Sequence, residues 1–425
     1  MSESSRNSQT HNSQLTTHNL FLTLAGFRRS PAIAVAAVAA GTFIDIVAYS
    51  IAIPVLPDLG LRAGISATVV GLLFGSFGLT LLVISVPMGA ISDRVGRKGP
   101  IVAGLMLIAG GSLLFGFARN VAALFAARLA QGAGDAVTWV VGFALIADFY
   151  GPEERGRVMG LVMLGAGLGF MLGPSLGGWL YEMGGVQLPF MFVCGLAIAD
   201  ALIFLLLATP ARRSEGTAVS MLHVMRVPAI AVCAIAVIAP AATLAMLEPV
   251  LGLFFKQLGM RPAQIGLLFG IAAVASTITH PISGRLSDRW GGRTLLVIGL
   301  LSAACLLPVM SAAWNGLSSA VFIVLLTTAL ALTVTPSLTF IADAASAAHI
   351  ESFGIVYGIY NCAWAIGLMA GPSLGGFLFD RLGFQRLALI WAPVLVALAW
   401  LLGRLGRVQS DRSARAAIRG APMRT

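Results

Sequence analysis

Long apolar runs separated by short polar connections make up most of the chain. They predict twelve helices, at about 31–57, 66–91, 99–118, 121–149, 157–181, 188–209, 227–257, 263–286, 294–314, 317–343, 353–379 and 385–403. Each run is long enough to cross the roughly 30 Å hydrocarbon core of a bilayer, which takes about 20 helical residues. A polar stretch divides them into six and six. The expected order is an unstructured cytoplasmic tail at 1–26, a first bundle at 27–209 and a cytoplasmic linker at 210–226. A second bundle at 227–404 and a basic cytoplasmic tail at 405–425 follow.

One run differs from the rest. Gly160–Gly178 carries Gly165, Gly169, Gly173 and Gly177 at intervals of four, with Pro174 among them. On a helix those glycines share one face. A face without side chains lets another helix come close, as small residues do in membranes. Pro174 removes a backbone donor and predicts a bend. The pattern returns at Gly358–Gly376, with Gly367, Gly371, Gly375 and Pro372. The expectation is a hinge and seam between the two bundles, with the second copy also meeting substrate.

The repeat extends further. Gly89, Asp93, Arg94, Gly96, Arg97 and Lys98 follow helix 2, and Gly284, Asp288, Arg289, Gly291 and Arg293 follow helix 8. Ala147-Asp148 and Ala342-Asp343 close helices 4 and 10, and ion pairs to Arg155 or Arg157 are the expected use of those acids. The chain therefore reads as an all-α membrane protein of two homologous six-helix bundles. Transporters are commonly built from such repeats, with a substrate site between them.

Composition agrees with a bilayer as solvent. Of 425 residues 58% are hydrophobic and 10% charged, against about a quarter charged in soluble domains. The net charge of +10 raises the question of nucleic acid. Its distribution answers it, because twenty Lys and Arg fall on the side of the N-terminus and six on the other, with Arg128 inside helix 4. That bias places both termini in the cytoplasm, and no nucleic-acid partner is expected. Cys194, Cys233, Cys305 and Cys362 sit in apolar runs without metal-ligand spacing, so they read as free thiols.

Charged side chains inside a span cost at least about 2.5–3.5 kcal/mol and are functional candidates. Asp45 lies in helix 1, with Tyr49 one turn further on the same face. Arg128, Gln131, Asp135 and Thr138 share a face of helix 4, and Glu248 lies in helix 7. A carboxyl away from water readily holds a proton, and when ionised it attracts a cation. Competition between the two for one group is the simplest mechanism of antiport. Asp200 in helix 6, for which a structural hydrogen bond between helices would suffice, and His280 in helix 8, read as an interfacial partner, are weaker candidates. Trp139, Tyr357, Tyr360 and Trp364, with Asn361, are candidates to line a cavity, where rings can hold amines.

The loop from Gly89 to Lys98 resembles the signature loop of the major facilitator superfamily, and the resemblance covers helices 1 to 12. It implies a conformational latch at Gly89, Asp93, Arg94, Gly96 and Arg97, and more weakly at Asp288 and Arg289. Gly160–Gly178 resembles the helix 5 signature of proton-coupled antiporters, and Arg128–Gly134 the helix 4 signature linked to proton coupling. The Asp45 run ending in Pro54 and Pro57, Glu154–Gly160, Pro189-Phe190 with Ala199-Asp200, and Ala245–Pro249 resemble the vesicular amine transporters. That resemblance implies that Asp45 binds the substrate amine and that Glu248 takes part in recognition or proton coupling. Asn361 stands where those relatives carry an acid, helix 10 has no mid-membrane acid, and the long loop after helix 1 is absent. The short loops point to a bacterial inner membrane.

The implied function is proton-coupled efflux of a lipophilic, cationic small molecule, a drug or amine, by alternating access. The expected protein is a monomer that uses the proton gradient and no cofactor or metal. An importer or uniporter of a neutral metabolite or sugar on the same fold is the alternative, against which the helix 5 signature argues. A sensor is disfavoured by the short tails. No nucleophile–base pair, metal cluster or phosphate loop suggests an enzyme.

Overall fold

The computed structural model describes residues 30–206, 228–347 and 353–420. The expected tail at 1–26 and linker at 210–226 lie outside them. Ten helices come first: α1 Pro31–Ala63, α2 Ala67–Val95, α3 Lys98–Gly116, α4 Val121–Phe149, α5 Pro152–Gly184, α6 Gln187–Leu206, α7 Pro228–Gln257, α8 Pro262–Trp290, α9 Gly292–Met310 and α10 Gly316–Ala347. A last helical segment runs from Phe353 to Gly420.

The apolar part of that segment, Gly358–Arg404, has 47 residues. Fully extended as one helix it would reach about 70 Å, more than twice a bilayer core. It turns back instead at Gly383, whose φ of 71° and ψ of 174° only glycine adopts readily. The packing partners on α7 record the reversal. Gly367 meets Ala241 and Gly375 meets Met246, then Phe384 stacks on Phe254, and Trp391 donates its indole N–H back to Thr243. We therefore divide the segment into α11 (353–382) and α12 (384–420), which gives twelve crossings among the described residues.

Two boundaries differ most from expectation. Helix 1 continues past 57 to Ala63, because Pro54 and Pro57 bend it near Ile51 without ending it; the Ile51 N–H still bonds the Val47 carbonyl at 2.9 Å. Helix 12 continues beyond 403 to Gly420 as a basic helical extension.

The glycine stripes do not lie where the sequence reading put them. Gly165, Gly169, Gly173 and Gly177 of α5 face Ala39, Ile46, Ser50 and Ile51 of α1. Gly367, Gly371 and Gly375 of α11 face Ala241, Ala242 and Met246 of α7. Both are seams inside one bundle. A Cβ at any of these seven positions would strike its neighbour, so the contacts exist only because glycine has none.

The seams between bundles use adjacent edges of the same helices. Gly71, Gly75 and Gly78 of α2 rest on Pro372, Met369 and Leu368 of α11. Gly266 and Gly270 of α8 rest on Pro174 and Met171 of α5. The prolines thus do sit on the joint between the halves, and the two crossings are copies of each other. Three turns along, towards the end where the α2–α3 loop and the start of α1 lie, the same edges are exposed at Val86, Asn361, Met163 and Ile278. We refer to that end as the basic end. The bundles are joined at the opposite end and part towards the basic one.

Candidate functional site

The close seams inside the first bundle fix a polar cluster. Gly132 brings α4 onto Phe77 of α2, and Gly111 brings α3 onto Gln131. Arg128 is enclosed as a result, with no exposed surface. Its guanidinium lies 5.1–5.5 Å from the ring centres of Tyr49, Phe74 and Phe77. It donates to the Gln131 side-chain carbonyl at 3.2 Å, and the Gln131 amide donates to Ser112 at 3.0 Å. Among the described residues no carboxylate pairs with Arg128, and its Nη2 has no partner. Three aromatic faces therefore supply much of what a counter-ion would.

Asp45 is buried and accepts a hydrogen bond from the Thr138 hydroxyl at 2.7 Å, while its Oδ1 has no partner. Asp135, one turn before Thr138, is also buried, and it and Asp200 are the carboxyls that neighbour Asp45. Asp135 and Arg128 share a face of α4 but lie two turns apart, and the structure shows no bond between them.

Tyr49 and Glu248 meet across the two bundles, the Tyr49 hydroxyl donating to the Glu248 carboxylate. The same ring lies against Arg128. This contact joins α1, α4 and α7 into one unit, so a change of charge at Glu248 acts on both halves.

The remaining candidates separate. Trp139 packs on Phe143 of its own helix, with ring centres 5.3 Å apart. Tyr360 and Trp364 pack together inside the second bundle, where the Tyr360 hydroxyl lies 3.2 Å from that of Ser337. They do not share a face with Asn361, which is exposed on the edge turned towards α2. The side chain of Tyr357 lies outside the described residues. The four cysteines are free thiols. His280 bonds to Thr335 at 2.9 Å within the second bundle, in keeping with a structural role.

A model of the Major Facilitator Superfamily matches residues 38–357 and, overlapping them, 234–422. The chain belongs to the major facilitator superfamily. It is a membrane transporter of a small molecule, not an enzyme. The vesicular acetylcholine transporter of Homo sapiens is 31% identical over 371 residues, 81% of this chain and 68% of that protein. The chromaffin granule amine transporter of Rattus norvegicus is 29% identical over 78% of this chain, which spans 64% of that protein's length. A bacterial homologue of the human lysosomal transporter Spinster, solved in an inward-facing and occupied conformation, matches with a TM-score of 0.76 at 16% identity. That match covers 87% of this chain and 96% of the other.

In this facilitator the signature loop is tied to its own bundle. Arg97 pairs with Asp93 at 2.5 Å and with Asp148 of α4 at 2.9 Å, and it donates to Ser92 at 2.7 Å. Burial works against its charge, but Asp148 and Asp93 more than offset that and raise its pKa further. Asp148 thus pairs with Arg97, and no ion pair joins it to Arg157 among the described residues; the side chains of Arg155 and Asp343 lie outside them. Arg94 is exposed. Gly96 takes a φ of 90° and ends α2. At Gly89 a Cβ would lie 3.6 Å from Val140, an ordinary contact, so the packing there does not require glycine.

The second copy lacks the arginine. Gly292 stands in its place, Ser287 bonds Thr339 at 2.8 Å, and Asp288 and Arg289 are exposed without an ion pair among the described residues. The copies retain one common device. Lys98 donates to the Leu205 carbonyl at 2.5 Å and Arg293 to the Leu402 carbonyl at 2.7 Å, each tying the start of the third helix to the backbone of the sixth helix of its bundle.

The sequence reading missed the polar ties at the opposite end. Asp58, buried on α1, pairs with Arg62 at 2.8 Å, accepts from Tyr181 at 2.6 Å and pairs with Lys256 of the other bundle. Asp380 accepts from the backbone N–H groups of Ala67 and Thr68 at 2.9 and 2.6 Å, and Glu182 accepts from that of Ala263 at 3.0 Å. Each carboxylate sits at the first turn of a helix in the other half, where the free N–H groups and the helix dipole favour it. The signal available was the repeat itself, since Glu182 and Asp380 occupy matching places after the two glycine runs.

Proposed function

We propose that the chain is a proton-coupled antiporter that exchanges a lipophilic cation, a drug or amine, for protons by alternating access. The observation that carries this reading is the group of three buried carboxyls, Asp45, Asp135 and Glu248, on α1, α4 and α7. One of them is hydrogen-bonded across the two bundles by Tyr49. A carboxyl that can hold either a proton or a cation links the two flows. The cross-bundle bond gives Glu248 a means of passing its charge state to the closure of the halves. The names of the amine and acetylcholine transporters among the relatives support a cationic substrate. We place the protein in a bacterial inner membrane as a monomer, with both termini cytoplasmic. The basic end then faces inwards and the joined end outwards. The proton gradient serves as its energy source, without a cofactor.

The test is purified protein in lipid vesicles with an imposed pH gradient, with a fluorescent lipophilic cation and a primary amine as probes. Exchange driven by the gradient is expected, and Asp45→Asn abolishes it. Neither movement nor binding of either probe overturns the substrate class. Unchanged exchange in Asp45→Asn removes that residue from the mechanism.

A further inference from the structure

Asp200 on α6 has no place in the site described above, and its surroundings are unusual. It is 2% exposed, and neither carboxyl oxygen has a hydrogen-bond partner. An isolated carboxyl deep in a protein is costly unless it is neutral or meets water. Beside it is a small cavity of about 10 Å³, walled by Gly41 of α1, Ile101 and Leu105 of α3, and Thr138 and Gly142 of α4. That is close to the space one water requires. Asp200 and Thr138 are polar groups on its wall, and Thr138 is the residue whose hydroxyl donates to Asp45. Two glycines keep the space open. A Cβ on Gly41 would come within 3.2 Å of the Asp200 Oδ2, and one on Gly142 within 3.0 Å of Val38.

The direction is also defined. Gly41 precedes Asp45 by one helical turn, and Gly142 follows Thr138 by one. The cavity therefore leads from the Asp45–Thr138 bond towards the basic end. Among the described residues the titratable group close enough to interact with Asp200 is Asp45 from α1, which in turn interacts with Asp135 from α4. The wall from α3 is apolar, with Lys98 at its far end bonded to Leu205.

We propose that Asp200, one cavity water, Thr138 and Asp45 form a proton relay that loads the central carboxyl from the basic end. Protonated Asp200 gives its proton to the water, and the water passes one of its own to the Thr138 oxygen. The Thr138 hydroxyl then releases its original proton to Asp45 Oδ2. Asp200 becomes a carboxylate, Asp45 becomes a neutral acid, and rotation of the hydroxyl resets the chain. The relay rests on the proton-coupled reading of the site.

The test reads the carboxyls directly and requires no transport. Infrared difference spectra are taken on the purified protein in a lipid film while pH is raised, with Asp45→Asn identifying the Asp45 band. The expected result is that Asp200→Asn removes one protonated-carboxyl band and changes the proton affinity of Asp45 by about tenfold, the scale of coupled sites. Thr138→Val, close in shape, leaves both bands and uncouples them. Gly41→Ala, which fills the cavity, displaces the Asp200 band. In the unaltered protein that band shifts in D₂O, a reading that needs no variant to fold. An Asp45 titration that is the same with and without Asp200, or coupling that survives Thr138→Val, overturns the relay. Coupled bands in a protein that moves no cation would leave the relay standing and overturn only the antiport reading.

Discussion

Alanine at Gly75 separates the two kinds of glycine seam. A Cβ there would lie 2.6 Å from the Met369 carbonyl oxygen, a backbone atom that cannot swing aside. Overpacking of this kind costs about 1–3 kcal/mol. Gly75 and Met369 belong to different bundles, so the cost falls only on the state in which the opposite end is joined. A differential of that size changes the ratio of joined to open molecules about 5- to 150-fold. Gly165→Ala is the control. Its Cβ would strike the Ala39 carbonyl, but α1 and α5 belong to one bundle that moves as a body, so every state bears the cost. The assay is electron–electron resonance between spin labels at Leu61 and Leu317, both exposed near the opposite end in different bundles. The four native cysteines are replaced beforehand. Gly75→Ala should move the distribution to longer distances. Gly165→Ala should lower the melting temperature and leave the distances alone. Equal shifts in both variants, or none in Gly75→Ala, refute the reasoning.

Arg97→Lys should lose the forked contacts to Asp148 and Asp93 and about 1.5–3 kcal/mol of stability, read by thermal unfolding in lipid or detergent. Gly89→Ala should change the melting temperature little, since its Cβ would meet Val140 at an ordinary distance. Gly96→Ala should cost about 1 kcal/mol because of its left-handed φ. Asp58→Asn removes the charge that holds Lys256 across the bundles. The spin-label assay should then show a larger open fraction, and Asp58→Glu should restore part of the closure. Tyr49→Phe keeps the ring beside Arg128 and removes only the bond to Glu248. Cation exchange in vesicles should continue with an altered rate, whereas Glu248→Gln should stop it.

Much of this protein was legible along the chain because a bilayer constrains it so strongly. Backbone groups in lipid must be satisfied within the helix, so span length and the cationic loops are direct readouts of topology. The buried charges were legible for the same reason, as Asp45, Arg128, Asp135 and Glu248 each stand out in an apolar run. What was not legible is which faces meet. The spacing of Gly165 to Gly177 specifies a face for close approach but not the helix that fills it. The structure gives that face to α1 and leaves the Pro174 edge to α8, because each helix packs on several neighbours at once. The aromatic group of helix 11 shows a related limit: Tyr360 and Trp364 do share a face, with ring centres 6.2 Å apart, whereas the neighbouring Asn361 lies on another. Tyr360 and Asn361 are adjacent in sequence, and on a helix adjacent side chains point about 100° apart.

By itself, the sequence determined that the chain crosses a membrane twelve times in two related halves and carries a few charged side chains inside its spans. Composition, spacing and repetition are properties of one dimension, and they suffice for that. Only the tertiary structure decided that Glu248 is met by Tyr49, that Asp148 is held by Arg97, and that the halves are clasped at one end by Asp58, Glu182 and Asp380. These pairs lie between about 50 and more than 300 residues apart in sequence. A hydrogen bond depends on where two atoms arrive after the helices have packed.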